Sequence, residues 1–342
     1  MLLGLDILAI LFVSRRRSLV AWFVSVLSVA ASSVLVAGLI GSLTYLGLRL
    51  LSFGWFLHVP CVSILGAWGL RSKHPKTSMM AAGFGCVVLL MAIDAFWVEP
   101  TWLEVEHVRV VSAKLDRSYR LVLMADLQTD ELSDYEQRVF RAVHDVRPDL
   151  VLMAGDYLQS AHNEVSELRQ KYQDFLEQIG FGEMQAVYVV GGNNDHGAWE
   201  QMFSNSPVYV FETTHTVDVA PDLAVTGLTL IDSFDQQLSI APREQFQVAL
   251  GHAPDFALSK AAQADLLLAG HTHGGQVRLP IIGPLVTLSS VPRRWAAGVT
   301  EIDSQRTLIV SRGIGHERGD APRLRFLCRP QIIVIDLAPT GH

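Results

Sequence analysis

The sequence predicts two parts of different kind, an N-terminal helical membrane region followed by an α/β domain. Charge is distributed unevenly between them. Up to Trp97 the chain holds seven Lys/Arg, two Asp and no Glu, a formal charge of +5; from Val98 onward it holds 20 Lys/Arg and 32 Asp/Glu, a formal charge of −12. Long uncharged apolar stretches fill the first part. In the second part short apolar runs alternate with helix-like segments, and several of those runs lead straight into Gly, Asp, Asn or His.

The membrane region is expected over residues 1–98, with three and at most four transmembrane helices. No charged residue occurs between Ser18 and Leu48, which exceeds the ~20 apolar residues needed to cross a bilayer. Leu50–Leu70 is a second span, broken only by His58 and Pro60, and Thr77–Val98 is a third with Asp94 near its end. Leu2–Val13 is apolar but short for a fourth. A buried helix of a soluble domain keeps a polar face, and these stretches show none. Arg15, Arg16 and Arg17 precede the first long span, and Arg71, Lys73 and Lys76 precede the last. Lys/Arg-rich short loops stay in the cytoplasm, so the chain is expected to leave a bacterial inner membrane after Val98 on the outer, periplasmic face.

The negative second part disfavours non-specific nucleic-acid binding, because phosphates would be repelled. Cys61 and Cys86 lie in apolar segments and Cys328 stands alone, so there is no disulfide framework. Strands are expected at Arg120–Ala125, Leu150–Ala154, Gln185–Val190, Phe246–Leu250 and Asp265–Ala269, with helices over Asp134–Val146 and Asn163–Ile179. Apolar strands alternating with helices make an α/β domain.

The residues after those strands carry the functional signal. The runs end in turn at Asp126, Gly155-Asp156, Gly191-Gly192-Asn193-Asn194-Asp195, Gly251-His252 and Gly270-His271-Thr272-His273. Strand ends in α/β folds are where ligands sit, because the rigid sheet fixes the loop residues. A lone Gly-Asp is usually a turn. Two imidazoles at a spacing of two, followed by glycines, suit a metal site better, and the ordered set of five suits it best.

At this point the chain resembles the calcineurin-like metallophosphoesterases, whose pattern is Asp-x-His, Gly-Asp, Gly-Asn-His-Asp/Glu, a lone His, then Gly-His-x-His. The resemblance covers residues 105–337. It is closest to the membrane-anchored subgroup with Gly-His-Thr-His-Gly-Gly-Gln, present here as Gly270–Gln276. It implies a four-layer αββα sandwich and a centre for two divalent metal ions, with Mn, Fe or Zn as candidates and Mn favoured. Carried over residue by residue, Asp126, Gln128, Asp156 and His273 would surround the first metal. Asp156 would bridge to the second, which Asn193, His252 and His271 would complete. Two cations held close together activate water and steady phosphoryl oxygens.

The chain departs from that pattern twice. Gln128 stands where the family has a histidine ligand, and an amide oxygen is a harder, weaker donor than imidazole. Asn194 stands where the family has the histidine that assists the leaving group, and an amide donates no proton in general-acid catalysis. His196, two residues on, is the nearest imidazole that could take part, so Asn194 and His196 are the candidate catalytic side chains. Hydrolysis of a phosphoester or pyrophosphate bond in a phosphorylated or lipid-linked small molecule at the membrane is the expected function. The alternative is a degenerate domain that binds metal or phospholipid without turnover.

Overall fold

The computed structural model describes residues 2–41, 45–160 and 165–340. Its chain divides into two compact units, one comprising Met1–Val98 with Arg318–Arg323 and the other Glu99–Glu317 with Leu324–His342.

The first unit is helical. α1 (Leu2–Arg16), α2 (Leu19–Gly41), α3 (Tyr45–Phe53), α4 (Val59–Leu70) and α5 (Pro75–Ile93) follow in order, with α3 and α4 joined by a turn of π-helix at Gly54–His58. Leu19–Leu39, Tyr45–Leu70 and Pro75–Thr101 are each long and apolar enough to cross a membrane among the described residues. α1 is not one of these spans. It carries Asp6, buried, with Oδ2 2.5 Å from Nδ1 of His58, a polar pair between the apolar part of this helix and the π-turn. The two basic turns meet at one end of the unit, where the Arg17 guanidinium donates to Ser72 Oγ (3.4 Å) and Arg71 lies 3.5 Å over the Trp68 ring.

The second unit begins with β1 (Glu104–Ser112) and β2 (Tyr119–Met124), then α6 (Asp134–Asp145), β3 (Leu150–Met153), α7 (Val165–Gln178), β4 (Ala186–Val189) and β5 (Val208–Val210). β6 (His215–Ala220), β7 (Leu223–Gly227), α8 (Leu230–Phe234), β8 (Phe246–Leu250) and β9 (Leu266–Ala269) follow. A short hairpin, β10 (Arg278–Leu279) and β11 (Gly283–Pro284), precedes β12 (Gly298–Glu301), β13 (Thr307–Val310) and β14 (Gln331–Pro339). The described strands form two six-stranded sheets, in the orders β1-β14-β2-β3-β4-β5 and β12-β13-β9-β8-β7-β6. β2, β3 and β4 run parallel to one another, as do β7, β8 and β9.

The expected strands are continuous apolar runs because both of their faces are buried. Leu121, Leu123, Leu150 and Leu152 point into the core between the sheets, while Val122, Met124, Val151 and Met153 pack under α6 and α7. α6 starts at a capping box in which Ser133 and Glu136 satisfy each other's backbone N–H groups. It buries Val139, Phe140 and Val143 on one stripe. On the far side of the second sheet the covering layer is thinner, made of α8, short helical turns and loops around Phe256, Ala262 and Leu267. The arrangement is helices, sheet, sheet, helices, an α/β sandwich of four layers. Asn163, where the second helix was expected to begin, lies outside the described residues.

Candidate metal centre

Each predicted ligand stands just beyond a strand, and backbone geometry explains how. Asp126 (φ 52°), Gln128 (φ 38°), Asp156 (φ 58°), His271 (φ 68°) and His273 (φ 49°) all occupy the left-handed region. A non-glycine residue there costs on the order of 1–3 kcal/mol, and such strain collects at functional sites. The roll that produces it turns side chains from both sheets toward one point. Two glycines make room. A Cβ on Gly270 would come within 2.8 Å of Asp126 Oδ2, and one on Gly192 would land on Asp156.

Asp126, Asp156 and His252 place one ligand atom each within 4.8 Å of one another, all buried. His252 Nδ1 lies 2.7 Å from the carbonyl of Ala154. A carbonyl only accepts, so Nδ1 carries the proton and Nε2 keeps its lone pair. That lone pair faces Asn193 Oδ1 at 2.8 Å and Asp156 Oδ2 at 3.6 Å. His271 repeats the arrangement with its nitrogens exchanged. Nε2 donates to the Leu288 carbonyl (3.0 Å), and the Nδ1 lone pair faces the same Asn193 Oδ1 at 2.8 Å. Burial, and then His252, pull the His271 pKa down to about 4, so its ring is neutral at physiological pH. Two imidazole lone pairs, an amide oxygen and a carboxylate therefore converge without a proton to share. A divalent cation satisfies all four, with each imidazole oriented by the backbone carbonyl behind it.

The other half of the centre also fits a cation, with a different detail. His273 is 4% exposed and neither of its ring nitrogens finds a hydrogen-bond partner. Burial, then the neighbouring Arg325, holds its pKa well below the usual histidine value. Burial and then Asp156 push Asp126 well above the ordinary carboxylate value, the condition a nearby cation relieves. The His271 backbone N–H donates to both Asp126 oxygens at 3.0 Å.

Gln128 and Asn194 both reach the centre through Asp156. Gln128, expected to offer at most a weak amide oxygen to a metal, donates its Nε2 to Asp156 Oδ2 at 3.0 Å. Asn194 was expected beside the leaving group, and it donates Nδ2 to Asp156 Oδ2 and its backbone N–H to Oδ1, both at 2.7 Å. Both side chains grip the central carboxylate. His196 stays exposed in the loop, its carbonyl accepting from Arg169 at 3.0 Å.

Four further contributors were not singled out for the site from the sequence. Asp195 accepts from the N–H groups of Asp156 (2.7 Å), Tyr157 (2.9 Å) and Gly192 (2.8 Å), tying the β3 turn to the β4 turn. Arg325 is fully buried and donates to the carbonyls of Arg312, Gly313, Gly315 and Cys328. That clamps the glycine turn whose Ile314 and Gly315 N–H groups donate to the Asp126 carbonyl. Phe234 sets its ring edge on His271 at 5.1 Å between centroids. Glu317 points Oε1 toward His273 Nε2 at 3.9 Å. Asp195 closes the Gly192–Asp195 stretch of the family pattern, whereas Arg325, Phe234 and Glu317 act through contacts made only in the folded chain.

Residues 119–275 match the model of the calcineurin-like phosphoesterase family. Residues 119–275 of the globular unit are thus a calcineurin-like phosphoesterase region. The chain is 27% identical over 270 residues to the uncharacterized metallophosphoesterase YkuE of Bacillus subtilis, covering 72% of this chain and 90% of that one. It is 26% identical over 258 residues to the phosphodiesterase YaeI of Escherichia coli, covering 70% and 90%. A transmembrane protein with metallophosphoesterase domain from Danio rerio is 23% identical over 315 residues, 80% of this chain and 68% of that one. The calcineurin-like chain described here is accordingly a metallophosphoesterase, a hydrolase of phosphoester bonds, and with its three apolar helices a membrane protein.

Proposed function

We propose that this membrane phosphoesterase uses a dinuclear divalent-metal centre to hydrolyse a phosphoester or pyrophosphate bond of a lipid-linked substrate on the outer face of the membrane. The convergence of the His252 Nε2, His271 Nδ1 and Asn193 Oδ1 lone pairs beside Asp156 is the observation that carries the reading. Asn193, His252 and His271 would hold one ion and Asp126 and His273 the other, with the Asp156 carboxylate available to both. When bound, the ions activate water and neutralise phosphoryl oxygens.

The chain's own residues set what can react. Asn194 and Gln128 keep the Asp156 carboxylate fixed and supply no acidic proton, so leaving-group departure goes unassisted by either. Good leaving groups, such as a phosphate within a pyrophosphate or an aryl alcohol, are favoured over simple alkyl esters. The loop after the histidine motif is apolar and reaches outward, with Ile281, Ile282, Leu285 and Leu288 exposed. It is fastened to the site through the Leu288 carbonyl held by His271. An apolar surface joined to a phosphate-binding centre suits an amphiphilic substrate.

Hydrolysis of a pyrophosphate, an aryl phosphodiester and an alkyl monoester should be followed by the purified full chain with added Mn²⁺. Turnover is expected, fastest on the first two. Metal binding without turnover on any of them would point to the degenerate domain. A phosphatase reporter fused after Val98 should be active outside the cytoplasm of a bacterial host, since Arg15–Arg17 and Arg71–Lys76 mark the cytoplasmic end. Activity only inside would reverse the orientation.

A further inference from the structure

The half of the centre around His273 has a position that the sequence fills with an amide in place of an imidazole. In the family pattern a histidine occupies position 128, whereas here the Gln128 side chain carries its NH₂ to Asp156 Oδ2, and its remaining amide oxygen is a weaker donor than imidazole. We propose that Glu317 takes that position and is a ligand of the first metal. The proposal rests on the dinuclear reading and adds a residue to it.

Glu317 is 9% exposed and its Oε1 lies 3.9 Å from Nε2 of the buried His273. That separation is too long for a hydrogen bond. It matches two donors that share one ion, since ligand atoms each about 2.0–2.2 Å from a cation stand roughly 3–4 Å apart. Glu317 is held from two directions, by its backbone and by its carboxylate. The Glu317 backbone N–H donates to Gln276 Oε1 at 3.0 Å, which ties it to the end of the histidine motif. Gln159 Nε2 donates to Glu317 Oε2 at 3.2 Å and to Asn194 Oδ1 at 3.1 Å. Oε2 is thereby oriented from outside and Oε1 is turned to His273, the arrangement in which an outer partner fixes a ligating carboxylate. Two amides, Gln159 and Asn194, then link the Glu317 and Asp156 carboxylates. Charge agrees with this placement. Asp126, Asp156 and Glu317 bring three negative charges to one buried site, which two divalent ions more than offset. The exchange of an imidazole for a carboxylate makes the first position oxygen-rich, which suits Mn²⁺ over Zn²⁺.

The test is Mn²⁺ binding to the EDTA-stripped full chain in detergent, read by calorimetry and by the electron paramagnetic resonance signal of a coupled Mn²⁺ pair. Wild type should bind two ions and show the coupled signal. Glu317→Gln should keep one ion, lose the coupled signal at limiting Mn²⁺ and weaken the other ion by more than the roughly 10–100-fold that loss of an outer partner costs. Gln128→His placed in the Glu317→Gln chain should recover the second ion, a rescue that a merely structural role for Glu317 would not give. Thermal unfolding of the metal-free proteins checks that both variants fold, and Glu317→Asp serves if Glu317→Gln does not. Two ions bound with unchanged affinity by Glu317→Gln would overturn the proposal and leave the dinuclear reading standing. A wild type that binds one ion or none would overturn the dinuclear reading itself.

Discussion

The two halves of the metal centre differ in how completely the chain prepares them. Around Asn193, His252 and His271, each imidazole has its tautomer set by a backbone carbonyl, and both lone pairs meet one amide oxygen at 2.8 Å. This half keeps every residue of the family pattern. Around Asp126 and His273 the pattern is broken at Gln128, and the donors stand further apart, with His273 facing Glu317 at 3.9 Å. The comparison teaches that a departed ligand need not leave a gap. Gln128 donates to Asp156 and joins Asn194 there, so the central carboxylate is held by two amides, and in the proposal above Glu317 supplies the donor that position 128 lacks.

If the halves share Asp156, its loss must damage both. Asp156→Asn should lower hydrolysis by about 10³-fold or more, since a site that supplies several kcal/mol of transition-state stabilisation loses its central charge. It should also release both ions, which metal analysis after gel filtration would show. A variant that retained either ion tightly would mean that the halves are independent.

His271→Ala tests the prepared half alone. It should cost hydrolysis roughly 10²–10³-fold and remove one ion while the other stays. Titration of Mn²⁺ into the stripped variant should then show a single site. Two sites in that titration would place His271 outside the centre.

Asp195→Ala examines the scaffold that both halves use. The carboxylate serves three backbone N–H groups across the β3 and β4 turns, so its removal should destabilise the protein by about 2–3 kcal/mol. That appears as a drop of several degrees in the thermal midpoint, with metal affinity falling for Asp156 and Asn193 together. An unchanged midpoint would show that the turns are held by their packing.

The smallest effect is expected from Gln128→His. Restoring an imidazole should tighten the Asp126 half by less than about tenfold and raise activity at limiting Mn²⁺. At saturating metal the rate should change little, because Asn194 still offers no proton to the leaving group. Hydrolysis followed across an Mn²⁺ titration measures both quantities. Unchanged affinity would put position 128 away from the ion.

The strands that carry the centre were readable because each is apolar on both faces and ends at a residue able to bind metal. β1 was harder to read, since its inward and outward residues alternate along a sheet edge and a period of two in so short a run is a weak signal. The apolar spans, the charge asymmetry and the order of Asp126, Asp156, Asn193, His252, His271 and His273 are properties of the sequence itself. Composition and chain order are enough to express them. The left-handed turns at five site residues, the tautomers of His252 and His271, the rotation of Gln128 and Asn194 onto Asp156, and the approach of Glu317 to His273 came only with the tertiary structure. Coordination depends on where individual atoms point. Asn193 meets His252 and His271 from 59 and 78 residues away, and an approach of that kind is set by how two sheets stack, which no local pattern encodes.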